Sequence, residues 1–139
     1  MVSYIMKAGL VFSLCVFLLV GCGTSKRYKS SQLTPTKIAI LEDTINFVFP
    51  DDMEFESFYY FSFRNAEFTL LANYSHSDFR AYMNENPQDF EKKDYGYYRQ
   101  PETIHENLVI SMKKIDEIDV IEFKSIDSRF DFSSFFDAK

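Results

Sequence analysis

Apolar and polar residues alternate in several short stretches of this chain, and one stretch shows helical spacing instead. Ile45, Phe47 and Phe49 alternate with Asn46 and Val48, a period of two that predicts a strand, which Pro50-Asp51-Asp52 breaks. Residues 55–63 are rich in aromatics, Arg64-Asn65-Ala66-Glu67 suits a turn, and Phe68, Leu70, Ala72 and Tyr74 share one face, which predicts a hairpin. Ser75-His76-Ser77-Asp78 has the S-x-x-D form of a helix start, and Phe79, Tyr82 and Met83 then recur at helical spacing. Asn86-Pro87 ends that helix, or restarts it as a cap followed by a first-turn proline. Tyr95-Gly96 marks a turn, and residues 108–113 and 119–125 read as a second strand pair around Asp116-Glu117. In the tail, Phe130 and Phe132 suit a strand, whereas Phe132, Phe135 and Phe136 suit a helix.

Antiparallel strands with one or two helices packed on a face make an α+β domain. Residues 38–139 are enough for one such domain with a modest core and too few for two. Fourteen of the 16 phenylalanines lie beyond residue 22 and tryptophan is absent, so the core must rest on Phe, Tyr, Ile and Leu. The consecutive aromatics of "FESFYYFSF" must face both sides of a sheet. The helix after Ser77 is expected to cover one side and the C-terminal aromatics the other. If one side stays open, it is a partner surface, with Tyr59, Tyr60, Tyr95, Tyr97 and Tyr98 as its candidate residues. The stretch "INFVFPDDM" is similar to the strand–proline start of PsbP- and Mog1-like domains, with Met53 or Phe55 where those place a tryptophan. That resemblance carries no functional residue across.

The amino end has a different pattern. A short start with one positive charge, Lys7, precedes an apolar run over residues 8–20 interrupted by Ser13. As a helix that run would cover roughly 20 Å, short of a hydrocarbon core of about 30 Å, so it describes a secretory signal peptide over residues 1–21. Leu19-Val20-Gly21-Cys22 resembles the bacterial lipobox. The resemblance implies cleavage before Cys22 and attachment of a diacylglyceryl group to its thiol, which would anchor the protein in membrane lipid. Cys15 would leave with the leader, so Cys22 has no disulfide partner in the chain. Gly23, rather than aspartate, resembles the outer-membrane sorting pattern of enteric bacteria.

Residues 22–37 then read as the lipidated cysteine and a flexible tether, polar and without apolar periodicity. Lys26, Arg27, Lys29 and Lys37 are its only charges. Beyond it the balance reverses: ten basic and 21 acidic residues give −11. An acidic domain on a basic tether is expected to stand off an anionic bilayer. Clustered Lys and Arg of the kind that bind nucleic acid are lacking.

The residues that would carry chemistry are sparse. Beyond residue 22 only Gly23 and Gly96 remain, so neither glycine-rich phosphate loop nor the G-x-S-x-G nucleophile elbow can be written. His105-Glu106 starts like a zinc-protease helix, but Val109 stands where the second histidine would be. His76 among Ser75, Ser77 and Asp78 reads as a polar helix start. The carboxylates show no calcium-loop pattern, and nothing selects a glycosidase pair among them. No catalytic residue, metal site or cofactor is therefore assigned. Two functions fit: a non-catalytic binding or accessory lipoprotein of the bacterial envelope, or an immunity-type inhibitor of a secreted toxin, with an envelope protein or that toxin as partner.

Overall fold

Thr34-Pro35 starts the first helix of the domain. Thr34 is extended and its hydroxyl accepts the Lys37 amide at 3.3 Å, while Pro35 occupies the first turn, where a missing N–H costs nothing. Helix α1 runs Pro35–Ile45 and ends on Asn46 in the left-handed conformation (φ 52°). The computed structural model describes residues 23–63, 66–99, 107–128 and 130–139. Within them the other elements are β1 (Thr24–Lys29), a 3-10 turn (Ser30–Gln32), β2 (Glu54–Ser62), β3 (Ala66–Asn73) and α2 (His76–Glu85). There follow β4 (Glu91–Lys93), β5 (Gly96–Arg99), β6 (Leu108–Ile115), β7 (Ile118–Ser128) and α3 (Ser133–Asp137). The strands form one antiparallel sheet in the order β1-β2-β3-β7-β6-β5-β4, so the fold is α+β with the sheet dominant.

Two sequence expectations change here. The segment read as a free tether is structured: Thr24 pairs with Ser62 and Lys29 with Ser57, making β1 an edge strand of the sheet. Residues 24–37 thus belong to the folded domain rather than to a tether before it. Tyr28 is the one apolar side chain of β1 that packs inward, against Phe58 and Phe135, so the strand lacks an apolar pattern to betray it. Lys37, read as a linker charge, is buried on α1 with Leu41 and Ile45.

The strand expected over residues 45–49 is the other correction. Its alternation is real, since Phe47 and Phe49 are buried and Val48 is exposed, but none of the described strands pairs with it. Side chains satisfy its backbone instead. The Val48 amide donates to Gln88 Oε1 at 2.9 Å, and its carbonyl accepts from the Tyr82 hydroxyl and from Gln88 Nε2. The Phe49 amide donates to the Glu42 carboxylate at 2.9 Å. The strand–proline start that resembles PsbP- and Mog1-like domains is therefore a helix end followed by an extended, unpaired segment.

The hairpins predicted for residues 55–74 and 108–125 are present, as β2–β3 and β6–β7. The second turns on Asp116 and Glu117, both left-handed (φ 50° and 66°). Ser75 caps α2, accepting the Asp78 amide. Tyr28, Phe58, Leu70, Phe123, Ile110 and Tyr97 lie opposite one another in register, and that row is the floor of the core. Phe79 of α2 packs on Phe123 and Tyr97, and Phe132 and Phe135 pack on Phe58. Both coverings therefore lie on the same side. The C-terminal aromatics do not cover the second side as expected, and among the described residues no helix packs on that side, the open side of the sheet.

Candidate functional site

Because strand residues alternate between faces, the register also fixes what the open side presents. One row crosses all seven strands: Arg27, Tyr59, Thr69, Lys124, Val109, Tyr98 and Glu91 stand side by side. Arg27 lies over the Tyr59 ring, its guanidinium carbon 4.8 Å from the centroid, a cation–π contact at the sheet edge. The next row contains Lys29, Ser57, Leu71, Glu122, Ser111, Gly96 and Lys93. In it Glu122 pairs with Lys113 at 3.0 Å. Gly96 is required there because a Cβ would lie 1.8 Å from the Ile110 carbonyl oxygen.

Two shallow hollows meet at Ser57 and Leu71 on this face. One opens toward Arg27, Lys29 and Thr69, and the other toward Ile115, Ile118 and Val120. Ile115 and Ile118 are 47% and 55% exposed, so the second hollow has an apolar rim open to solvent. The face is a mosaic: tyrosine and aliphatic carbon interrupted by charges of both signs.

The five tyrosines singled out in the sequence do not form one surface. Tyr59 and Tyr98 are on the open face, half-buried. Tyr60 points to the opposite side and packs edge-on against Phe132 and Phe136. Tyr95 is exposed in the β4–β5 turn. Tyr97 is a core residue, 4% exposed, and cannot meet a partner. Its hydroxyl has no hydrogen-bond partner among the described residues, and burial pushes the phenol's pKa up against the lowering effect of Arg80. Leu71 and Val120, which help floor the hollows, escaped notice because single aliphatic residues in a strand give no signal of which side stays uncovered.

The His76 cluster is a structural lock. Its Nε2 donates to the Lys113 carbonyl at 2.9 Å and lies 3.3 Å from the Val120 carbonyl, which places a proton on that nitrogen. Its Nδ1 is 3.7 Å from Asp119 Oδ1, and its amide donates to Asp119 Oδ2 at 3.1 Å. That amide bond is the first cause holding the Asp119 carboxyl below its ordinary pKa, aided by the charges of His76, Lys114 and Arg80 and opposed by desolvation. Ser75 and Ser77 bond each other rather than the imidazole. His105, Cys22 and the lipobox residues lie outside the described residues.

Among the described residues no group of three or more His, Cys, Asp or Glu is placed to hold a metal ion, and no helix is long and apolar enough to cross a membrane. No family model matches this chain, and neither the curated proteins nor the solved structures contain a match to it.

Proposed function

We propose that the protein is a lipid-anchored component of the bacterial envelope whose domain is a non-catalytic binding or accessory module. The observation that carries this reading is the sequence Leu19-Val20-Gly21-Cys22 closing an apolar run directly before a folded domain. Two or more acyl chains on Cys22 would hold it stably, at about 0.8 kcal/mol per buried methylene. Gly23 has a structural reason to be glycine: its φ is +93°, and a Cβ would lie 2.2 Å from the Ser62 carbonyl oxygen. Its identity is accounted for by the fold, so placement at the outer membrane in particular gains nothing from it.

Partner contact is assigned to the open face around Tyr59 and Tyr98. Half-buried tyrosines amid mixed charge suit a protein surface, where aromatic anchors sit within a polar rim. The immunity-type reading rests on net negative charge steering a basic toxin. The open face carries Arg27, Lys29 and Lys124 beside Glu91 and Glu122, so that steering would have to come from elsewhere on the domain.

Mass spectrometry of the protein purified from native membranes tests the anchor. A diacylglyceryl-modified Cys22 as first residue is expected; an unmodified Cys22 or a retained leader refutes it. A photocrosslinker in place of Tyr59 is expected to give a discrete adduct in intact cells. The same group in place of exposed Ala39 on α1 is expected to give none; equal adducts from both positions would rule out the open face.

A further inference from the structure

The chain leaves no slack between the proposed anchor and the folded domain. Adjacent Cα atoms are about 3.8 Å apart, so Gly23 follows Cys22 at that distance. Thr24 is already paired with Ser62 in the sheet. Acyl chains entering the bilayer at Cys22 would therefore bring the Gly23–Ser62 corner of the sheet into the headgroup layer. The domain would have no means of standing off.

What lies at that corner and what lies opposite differ in chemistry. Phe63 follows Ser62 and is 56% exposed, an apolar ring of the kind that peripheral segments bury at the boundary of headgroups and acyl chains. Lys26 and Arg27 follow within three residues of Thr24 on the exposed edge strand, one on each side of the sheet. Lys26 lies over the Phe136 ring at 4.3 Å and Arg27 over Tyr59, and together they outnumber Glu67, which stands opposite Phe61 at the same end. The opposite end of the same strands holds more acid than base, with Lys113 and Lys114 paired to Glu122 and Asp119. Glu54 begins β2, Asp52 bonds Tyr74 at the end of β3, and Asp116, Glu117 and Asp119 lie at the β6–β7 turn. The nine residues of β2 separate the two ends by about 27 Å. That exceeds the Debye length of about 8 Å at physiological salt, so an upright sheet would spare its carboxylates the field of an anionic surface.

We propose that the Gly23–Phe63 corner is a membrane-docking tip. Phe63 sits in the bilayer interface, Lys26 and Arg27 face anionic headgroups, and the strands rise steeply so that the acidic end points away. This rests on the acylation of Cys22 proposed above.

The chain has no tryptophan, so one introduced indole reports alone. Phe63→Trp and Ile118→Trp, the second at the exposed far end of the sheet, are each made in the full chain and purified from membranes as acylated protein. Both are reconstituted into phosphatidylcholine–phosphatidylglycerol vesicles with or without lipids brominated near the headgroup. The indole of Phe63→Trp is expected to shift to the blue and lose most of its emission on bromination, and that of Ile118→Trp to do neither. With Cys22 acylated by mass, an unquenched indole in Phe63→Trp overturns the tip, and equal quenching of both overturns the upright pose. An unmodified Cys22 overturns the anchor itself, which the mass alone reveals.

Discussion

The Lys37 ammonium donates to the Phe135 carbonyl at 2.6 Å, across 98 positions of sequence, and ties α1 to α3. The same nitrogen lies 5.1 and 4.9 Å from the Tyr28 and Phe135 ring centroids. The last carbonyls of a helix have no partner within it, and a basic side chain from elsewhere can supply one. Lys37→Met keeps most of the aliphatic stem and removes the donor, leaving that carbonyl buried without a partner. A loss of about 1–3 kcal/mol in urea-melt stability is expected. A variant as stable as the parent would show that water satisfies Phe135 equally well.

The extended segment after α1 depends on side chains for its backbone bonds. Glu42→Ala leaves the Phe49 amide without its acceptor. Amide exchange is expected to accelerate at Phe49 while the middle of α2 stays protected. Tyr82→Phe should act on the same segment from the other side, through the Val48 carbonyl. Unchanged exchange at Phe49 in Glu42→Ala would mean that packing of Phe47 and Phe49 alone holds the segment.

Acid should weaken the domain partly through Asp119. Its folded-state carboxyl is held below the ordinary 3.8, so its stabilising contribution is present above 3.8 and lost as pH falls through the lower folded value. Denaturation midpoints of parent and Asp119→Asn, compared from neutral to strongly acid solution, should converge below the ordinary carboxylate range. A constant gap would assign the effect to packing rather than charge.

At the alkaline end Tyr74 is the residue to watch. Burial and the hydrogen bond to Asp52, 2.9 Å long, push its phenol up to about 12 from an ordinary 10. A raised folded pKa gives stability that is whole below 10 and is lost as pH rises through 12. Ultraviolet titration of Tyr74→Phe should lose a late-titrating tyrosine, and Asp52→Asn should move that step toward neutrality.

Gly96→Ala would force a methyl group to within 1.8 Å of the Ile110 carbonyl oxygen unless β5 and β6 part. The expected cost is about 1–3 kcal/mol, as for other forced backbone shifts. Loss of amide protection should be concentrated at Tyr97 and Ile110.

The elements legible in the sequence were those in which a face is repeated along one strand or helix. Phe68, Leu70 and Ala72 in β3, and Phe79 with Met83 in α2, bury the side their spacing predicts. β1 was hidden because an edge strand needs only Tyr28 inward, and its exposed cations are what protects such an edge from further pairing. α1 was hidden because Lys37 stands where an apolar residue would have signalled the buried stripe, and Thr34-Pro35 was read as part of the tether. The candidate face was half legible. Spacing alone places Tyr59 and Tyr60 on opposite sides of β2, yet which side stays uncovered is decided by where the distant Phe132 and Phe135 come to rest.

Tyr59 and Tyr98 share one row of the sheet but stand four strands apart, which at about 4.8 Å per step makes roughly 19 Å. That gap acts as a ruler for whatever engages both. A metabolite of one or two rings is too short to bridge it, and a peptide added parallel to the strands would meet one tyrosine and miss the other. Simultaneous contact calls for a rigid folded body, or for a chain crossing the ladder at right angles with about six residues extended.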